Sequence, residues 1–531
     1  MPTQSVCIVG GGPAGIGLLW ALAQDAGLRD ALAVTVVHDQ SVLGGHCSTY
    51  TVTNPNTGAD VAVDIGVQCI SPLVNPNVSA VLQSGAFPEL APVVDAPPLT
   101  LSCAFPARDG LPMYWGNFPE YQQGPLFQLW NESGIAGDCA QFQTVIAISP
   151  VVGYLTQTLQ YYLDNHASSP FPYENMADFV TYFVDPIMNI INGYGAPNLA
   201  QITFGDVLPI FGRIPGFDGP LGSWSVPGVG WQRFEKGASS WVQALYDVAV
   251  GLFDTPVVLH TAKATAVWLD PTDESGQVYV ATADDPAGTA YDKVVLAVDM
   301  WTCADLLSCP QNQGYWDNLY SVPLDKATAW SMLQAGTCYI HADQSVIAPD
   351  LLPLSQEVAQ FNAVNATQQS PFDIDTAYTT YLVENVRGGD PSAKGLYVTM
   401  YGPEQGTVVP SNPLVTETFT HGMWLPTYML DSKKAMHAVQ GSGWLSGISN
   451  AGTNLYFSGN NLSFDSVEGG FISGLVIANY AFGAPYPVPP SLLTAPAFAM
   501  FLYIYLDVMF PVSDTLKQAA IRELGARIPP R

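Results

Sequence analysis

The sequence predicts an α/β fold of two intertwined or sequential domains. Two observations set the class. The chain opens with a short β-branched apolar run that breaks at closely spaced glycines and continues as a helix-like stretch, and a second strand-like run, residues 34–38, leads to another glycine pair. The third observation is length: 531 residues exceed what one small core organises.

Ser5–Val9 is rich in β-branched residues, as a parallel strand buried on both faces would be. Gly10-Gly11-Gly12-Pro13-Ala14-Gly15 follows as a G-x-G-x-x-G, and a helix-like run extends to Ala26, with Gly27 as its stop. Gly10 would make the tight turn, Gly12 would let a pyrophosphate approach the backbone, and Gly15 would let helix pack on strand. The helix start then offers N–H groups and partial positive charge to phosphates. A strand before the motif and a helix after it mark a Rossmann-like dinucleotide site, with Gly10, Gly12, Pro13, Ala14 and Gly15 as contacts.

The stretch VTVVHDQSVLGGHC, 34–47, should close its strand with an acid that holds a ribose. It carries His38 instead, with Asp39 directly behind. Imidazole can donate to or accept from a hydroxyl, so His38 or Asp39 is expected to hold the ribose. The alternative is that His38 only closes the strand and the ribose is held elsewhere.

Composition excludes several function classes. The net charge is −29 with only 16 Lys plus Arg, which leaves no footprint for a nucleic-acid backbone and disfavours docking on anionic lipid. The eight cysteines form no C-x-x-C and no His/Cys group with ligand spacing, so no metal is expected. These features lead us to expect a cytoplasmic protein with reduced thiols, in which the sequons at Asn77, Asn131, Asn365 and Asn461 are chance matches. Residues 492–510 are nearly all apolar but shorter than a spanning helix. They suit a helix buried against the body or in a homo-oligomer contact, or a weak membrane contact. The last stretch, 514–531, has the spacing of an amphipathic helix.

VLGGHCSTY (42–50) and VAVDIGVQCI (61–70) are more specific. Here the sequence resembles the flavin-containing amine oxidase superfamily, through the glycine pair Gly44-Gly45 and the acid-x-Gly of Asp64 and Gly66. The segments 234–250, 256–270 and 291–300 resemble the family's helix start and returning strands. Residues 454–481, with Phe457-Ser458-Gly459, Glu468-Gly469-Gly470 and Ser473-Gly474, resemble its second cofactor signature. The resemblance implies non-covalent FAD, contacted also by His46, Cys47, Val67, Gly459, Asn460, Val467, Glu468 and Phe471. The helix starting near Val467 would face the flavin pyrimidine edge. His38 and Asn460 depart from the family pattern, and no paired aromatic cage is visible.

CYIHADQSVIAP (338–349) and 421–447 look like a branch that includes β-cyclopiazonate dehydrogenase, polyunsaturated fatty acid isomerase and carotenoid desaturases. The resemblance therefore implies a Rossmann-like FAD-binding domain at 1–75, 230–305 and 440–490. A mixed α/β substrate domain would occupy 76–229 and 306–439, with a helical tail at 491–531. It implies an FAD-dependent oxidoreductase moving hydride from a C–H bond of a small apolar or conjugated substrate to flavin N5, with O2 or another acceptor. A redox-neutral double-bond isomerase and a non-catalytic flavin-binding protein are the alternatives. Gln68, His341 and His421 are the candidate catalytic side chains.

Overall fold

In the computed structural model the described residues are 2–72, 75–96, 101–108, 111–116, 160–161, 164, 230–269, 276–312, 334–347, 361–365, 377–401, 409–421, 454–459, 466–491 and 494–495. The chain is α/β. Its central sheet has five parallel strands: β1 (Gln4–Val9), β2 (Leu32–His38), β3 (Val258–Thr261), β4 (Lys293–Leu296) and β5 (Leu455–Phe457). Their spatial order is β5–β4–β1–β2–β3. Val6–Val9, Val294–Leu296 and Leu455–Phe457 are buried, which explains why these runs are continuously apolar rather than alternating. Residues 258–261 join this sheet, whereas 264–269 turn away into a separate antiparallel sheet with 278–282 and 289–291.

Four helices fix the cofactor half: α1 (Pro13–Ala23), α2 (Pro76–Leu82), α3 (Ser239–Val250) and α4 (Val467–Phe482). Every residue of α1 from Ala14 to Ala23 is buried, as an almost wholly apolar helix requires. α1 and α4 approach at small residues. A Cβ on Gly474 would fall 2.3 Å from the Ala14 carbonyl oxygen, and one on Gly17 would fall 2.7 Å from Phe471. Phe471 then packs between Trp20 and Trp241, at centroid distances of 5.9 and 5.8 Å. Gly483 ends α4 in the left-handed conformation at φ 75°.

A seven-stranded sheet forms the second layer, in the order 415–421, 334–341, 397–401, 377–382, 361–365, 101–108, 111–116. All its pairings are antiparallel except 361–365 with 101–108. The hairpin Thr49–Thr53/Asp60–Asp64 ties the two layers together. Asn54 donates to the carbonyls of Ser392 and Lys394 at 2.8 and 3.0 Å, and Tyr50 donates to Glu417 at 2.8 Å. Among the described residues no helix is long and apolar enough to cross a membrane. Of the 492–510 segment only 494–495 are described, and the 514–531 helix lies outside the described residues.

Candidate nucleotide and substrate site

The site begins where β1 hands over to α1. Gly10 has φ 117°, and its N–H bonds the Val37 carbonyl at 2.9 Å, which draws the turn onto the end of β2. Added Cβ atoms would fall 2.4 Å from the Ala297 carbonyl at Gly10 and 2.0 Å from the Gly10 carbonyl at Gly15, so both positions exclude a side chain. Gly12 is the N-cap of α1; it supplies no side-chain cap, and no acid stands in the first turn. The helix start is thus left to an anion.

The second glycine pair completes the cradle. Gly44 donates to the Gly11 carbonyl at 3.0 Å, and Cys47 donates back to the Gly44 carbonyl at 2.9 Å. Gly45 lies with its Cα 3.6 Å from where a Gly12 Cβ would be. Gly66 presses on the His46 carbonyl, which a Cβ would meet at 1.9 Å, and Val67 donates to that same carbonyl at 3.3 Å. The Gly44–Gly45 loop therefore meets the α1 start, and Gly66 backs that loop from behind at His46. His46 is exposed to solvent on this loop. Desolvation holds its pKa below the ordinary value, against the pull of Asp299.

Several residues expected as contacts turn their side chains into the protein. The Cys47 thiol is buried, and burial pushes its pKa up to about 12. Phe471 is fully buried between two tryptophans, which removes its ring from any ligand. Glu468 turns from its own helix to another: Oε1 accepts from the Asn77 N–H and Nδ2, both at 2.8 Å, and Oε2 accepts from the Val78 N–H at 3.1 Å. It caps the first turn of α2, whose own Asn75 makes no side-chain cap. Asn77 is fully buried there, so its sequon is no glycan site. Ser466 caps α4 by accepting from the Gly469 N–H at 2.9 Å, and Val467 is part-buried at the helix start. Gly459 adopts φ 108° and donates to Ser473 at 2.7 Å; Asn460 lies outside the described residues.

His38 is buried at 7% exposure, directly over the glycine turn: a Gly11 Cβ would fall 2.8 Å from its ring. Its Nε2 is 2.9 Å from the Val42 carbonyl oxygen, to which it donates, stapling the 38–42 turn. Asp39, beside it, is exposed.

Two of the three candidate catalytic side chains are engaged in hydrogen bonds within the protein. Gln68 folds back so that Nε2 donates to the Asp64 carbonyl. His341 has no exposed surface; Nε2 is 2.7 Å from Thr399 Oγ1, and Nδ1 accepts from the Asp343 N–H at 3.1 Å. Burial lowers its pKa to about 4, which makes it a neutral hydrogen-bonder inside the sheet rather than a proton carrier. His421 ends a strand opposite Gln334, and its side chain lies outside the described residues.

The residue that organises the region is Asp64. It is nearly buried; Oδ1 accepts from Thr49 Oγ1 at 2.6 Å and from the Ala238 N–H at 2.7 Å, ahead of α3. Burial raises its pKa to about 6. Among the described residues no group of three or more His, Cys, Asp or Glu could hold a metal.

Residues 8–84 match the model of the NAD(P)-binding Rossmann-like domain. The chain contains a Rossmann-like nucleotide-binding domain. Among solved structures it resembles the CLA-producing fatty acid isomerase from P. acnes, with TM-score 0.53 and 13% identity over 90% of this chain and 98% of that one. It also resembles cyclohexylamine oxidase from Brevibacterium oxydans IH-35A, with TM-score 0.53 and 14% identity over 90% and 100%. At such identities the likeness is one of fold: the Rossmann-like domain here is embedded in the two-layer architecture of those enzymes. No curated protein sequence matches the chain.

Proposed function

We propose that this protein is an FAD-dependent oxidoreductase acting on a C–H bond of a small, largely apolar substrate. The observation that carries this is the meeting of Gly12 and Gly45 at a helix start with no side-chain cap, with Gly66 packed behind the same loop at His46. That arrangement leaves backbone N–H groups open to a pyrophosphate, and its parts come from the three segments that resemble the flavin family. The two enzymes that share the architecture support the reading by fold.

In this reading the α1 start and the Gly44–Gly45 loop hold the pyrophosphate, with His46 exposed on that loop. Asp39, exposed beside the stapled His38 turn, takes the ribose hydroxyls. The Gly459 segment and the α4 start face the flavin end. FAD, when bound, accepts hydride at N5. The chain's own task is to bind, orient and keep water from the donor carbon. Asp64 holds the 64–68 turn against α3, and Gln68 locks that turn by its bond to the Asp64 carbonyl. The electron acceptor, O2 or another molecule, completes the cycle; an isomerase would instead return the hydride to the substrate.

The visible spectrum of the purified protein, before and after acid precipitation, tests the reading. Flavin bands whose colour moves to the supernatant are the expected result and show non-covalent binding. A colourless protein that FAD cannot reconstitute overturns it. Anaerobic bleaching by substrate with net consumption of acceptor separates the oxidoreductase from the isomerase.

A further inference from the structure

The hairpin Thr49–Thr53/Asp60–Asp64 begins just after Cys47 of the glycine loop and ends just before Gly66, so both of its strands grow out of the nucleotide cradle. Its base is fixed there. Thr49 Oγ1 donates to Asp64 Oδ1 at 2.6 Å and accepts from the Ser239 N–H at 3.0 Å. Asp64 Oδ1 accepts from the Ala238 N–H at 2.7 Å. These two oxygens cap α3, which has no side-chain cap of its own. Next to them, Ile65 donates to the Ser48 carbonyl at 3.1 Å and Val67 to the His46 carbonyl at 3.3 Å. The glycine loop carries the chain of bonds onward, since the Gly44 N–H reaches the Gly11 carbonyl at 3.0 Å.

The tip is fixed to the other layer. Asn54 has no exposed surface; Nδ2 donates to the Ser392 and Lys394 carbonyls at 2.8 and 3.0 Å, and Oδ1 accepts from the Asn56 N–H at 2.9 Å. Asn56 Nδ2 donates to the Gly395 carbonyl at 3.2 Å, and Thr57 Oγ1 to the Ser392 carbonyl at 2.9 Å. The turn 391–395 that receives these bonds lies between strands 377–382 and 397–401 of the second sheet. Asp390 holds it: Oδ1 accepts from the Ser392 N–H at 3.0 Å, and Oδ2 pairs with Arg387 Nε at 2.9 Å. Arg387 Nη1 returns to the hairpin, donating to the Ala62 carbonyl at 3.1 Å. Arg233, on the strand Gln232–Phe234 ahead of α3, adds charge to this seam; desolvation and Arg387 lower its pKa against Asp390 and Glu235. A two-stranded ribbon bonded at both ends passes a displacement of one end to the other.

We propose that Asn54 is a positioning residue for the nucleotide cradle: it seats the hairpin tip on the second sheet, and the hairpin carries that seating to the Gly44–Cys47 loop, so that the grip on the nucleotide depends on how the second sheet sits. Asn54 touches neither glycine segment and acts only through the ribbon. Naming the nucleotide FAD rests on the flavoenzyme reading above; the coupling itself is read from the hairpin and its two anchorages.

Asn312 supplies the control. It is a second buried amide with the same pattern of bonds: Nδ2 donates to the Val267 and Leu307 carbonyls at 2.8 and 2.9 Å, and Oδ1 accepts from the Leu269 N–H at 3.4 Å. None of these partners belongs to the hairpin or to the glycine segments. Asn54→Ala and Asn312→Ala should therefore lower the melting temperature by similar amounts. Only one of them should reach the cradle.

Hydrogen exchange on the purified full-length protein tests this. The bonded Gly44 and Cys47 amides should exchange at least about 5-fold faster in Asn54→Ala than in wild type, the lower end of usual coupling between sites, and at the wild-type rate in Asn312→Ala. Release of FAD from the same proteins, followed by recovery of flavin fluorescence, should quicken by a similar factor in Asn54→Ala alone. Asn56→Ala removes a side-chain anchor at an exposed tip position; it should show the same effect in smaller measure and gives the reading if Asn54→Ala does not fold. Wild-type exchange at Gly44 and Cys47 in both tip variants, equal acceleration in Asn312→Ala, or unaltered FAD release in Asn54→Ala would each overturn the proposal. A wild type that holds no flavin, yet whose Gly44 and Cys47 exchange still follows Asn54, sinks the flavoenzyme reading and leaves the coupling standing.

Discussion

The glycine turn at 10–15 and the polar corner around Asp64, Arg233 and Arg387 are built on opposite principles. The turn is backbone against backbone. Its glycines lie within a few residues of one another, and their spacing carries the geometry. The corner gathers side chains from 60–70, 230–235 and 385–392, and long-range bonds such as Ala238 to Asp64 and Arg387 to the Ala62 carbonyl hold these segments together. The turn tolerates no side chain at Gly10 or Gly15 because a Cβ there has nowhere to go. The corner holds charge in partial burial, so it responds to pH. Steric exclusion along a short stretch fixes the first region, and polar contacts between distant segments fix the second.

The largest expected effect breaks the first half of the comparison. Gly15→Val places a side chain 2.0 Å from the Gly10 carbonyl, and neither α1 nor β1 can retreat. Destabilisation of about 4 kcal/mol or more is expected in chemical denaturation, with loss of nucleotide binding.

Titration sharpens the second half. Asp64 has its pKa raised from 3.8 to about 6, so its contribution to stability is full below the ordinary value and is lost as pH rises through about 6. His341 has its pKa lowered from 6.5 to about 4, so its contribution is full above the ordinary value and is lost as pH falls through about 4. Between pH 4 and 7 the stability gap between wild type and Asp64→Asn should shift by about 3 kcal/mol against the wild type as pH rises. The gap to His341→Asn should shift by a similar amount in the opposite sense. Parallel pH profiles for the two variants would contradict the assigned environments.

Glu468→Ala should cost about 2–3 kcal/mol, because it strips a charged acceptor from the buried Asn77 and Val78 donors. Glu468→Gln should recover part of this. Flavin content per folded chain should fall little in Glu468→Gln, which separates a capping role from a cofactor contact. The smallest effect is expected at the strand end. His38→Ala loses one bond to the Val42 carbonyl and should cost about 1 kcal/mol in thermal denaturation. Asp39→Ala should leave stability unchanged while weakening FAD retention in equilibrium dialysis.

The parts legible in the sequence were those encoded over short range. The run into Gly10, the Gly12-Pro13 start of α1 and the second strand ending at His38 all lie where the spacing puts them. There a β-branched run, a turn that needs missing side chains and an apolar helix are each dictated by a handful of adjacent residues. The glycine pair at 44–45 meets the first turn for the same reason: only glycine permits the approach.

Side-chain roles were another matter. Glu468 follows a motif pattern that suggests a ligand, yet its carboxylate reaches an α2 start some 390 residues earlier in the chain. Phe471 and Cys47 sit beside contact positions but face the core, and both nitrogens of His341 are used inside a sheet. The unsatisfied Nε and Nη1 of Arg233 carried no sequence signal at all, because a missing hydrogen bond is defined by which neighbours fail to arrive. The sequence by itself therefore determined the α/β class, the nucleotide cradle and the absence of a basic surface, since propensity, steric exclusion and net charge are local or additive. Only the tertiary structure decided which polar groups are paired and with whom, because hydrogen bonding and desolvation depend on groups that meet only after the chain has folded.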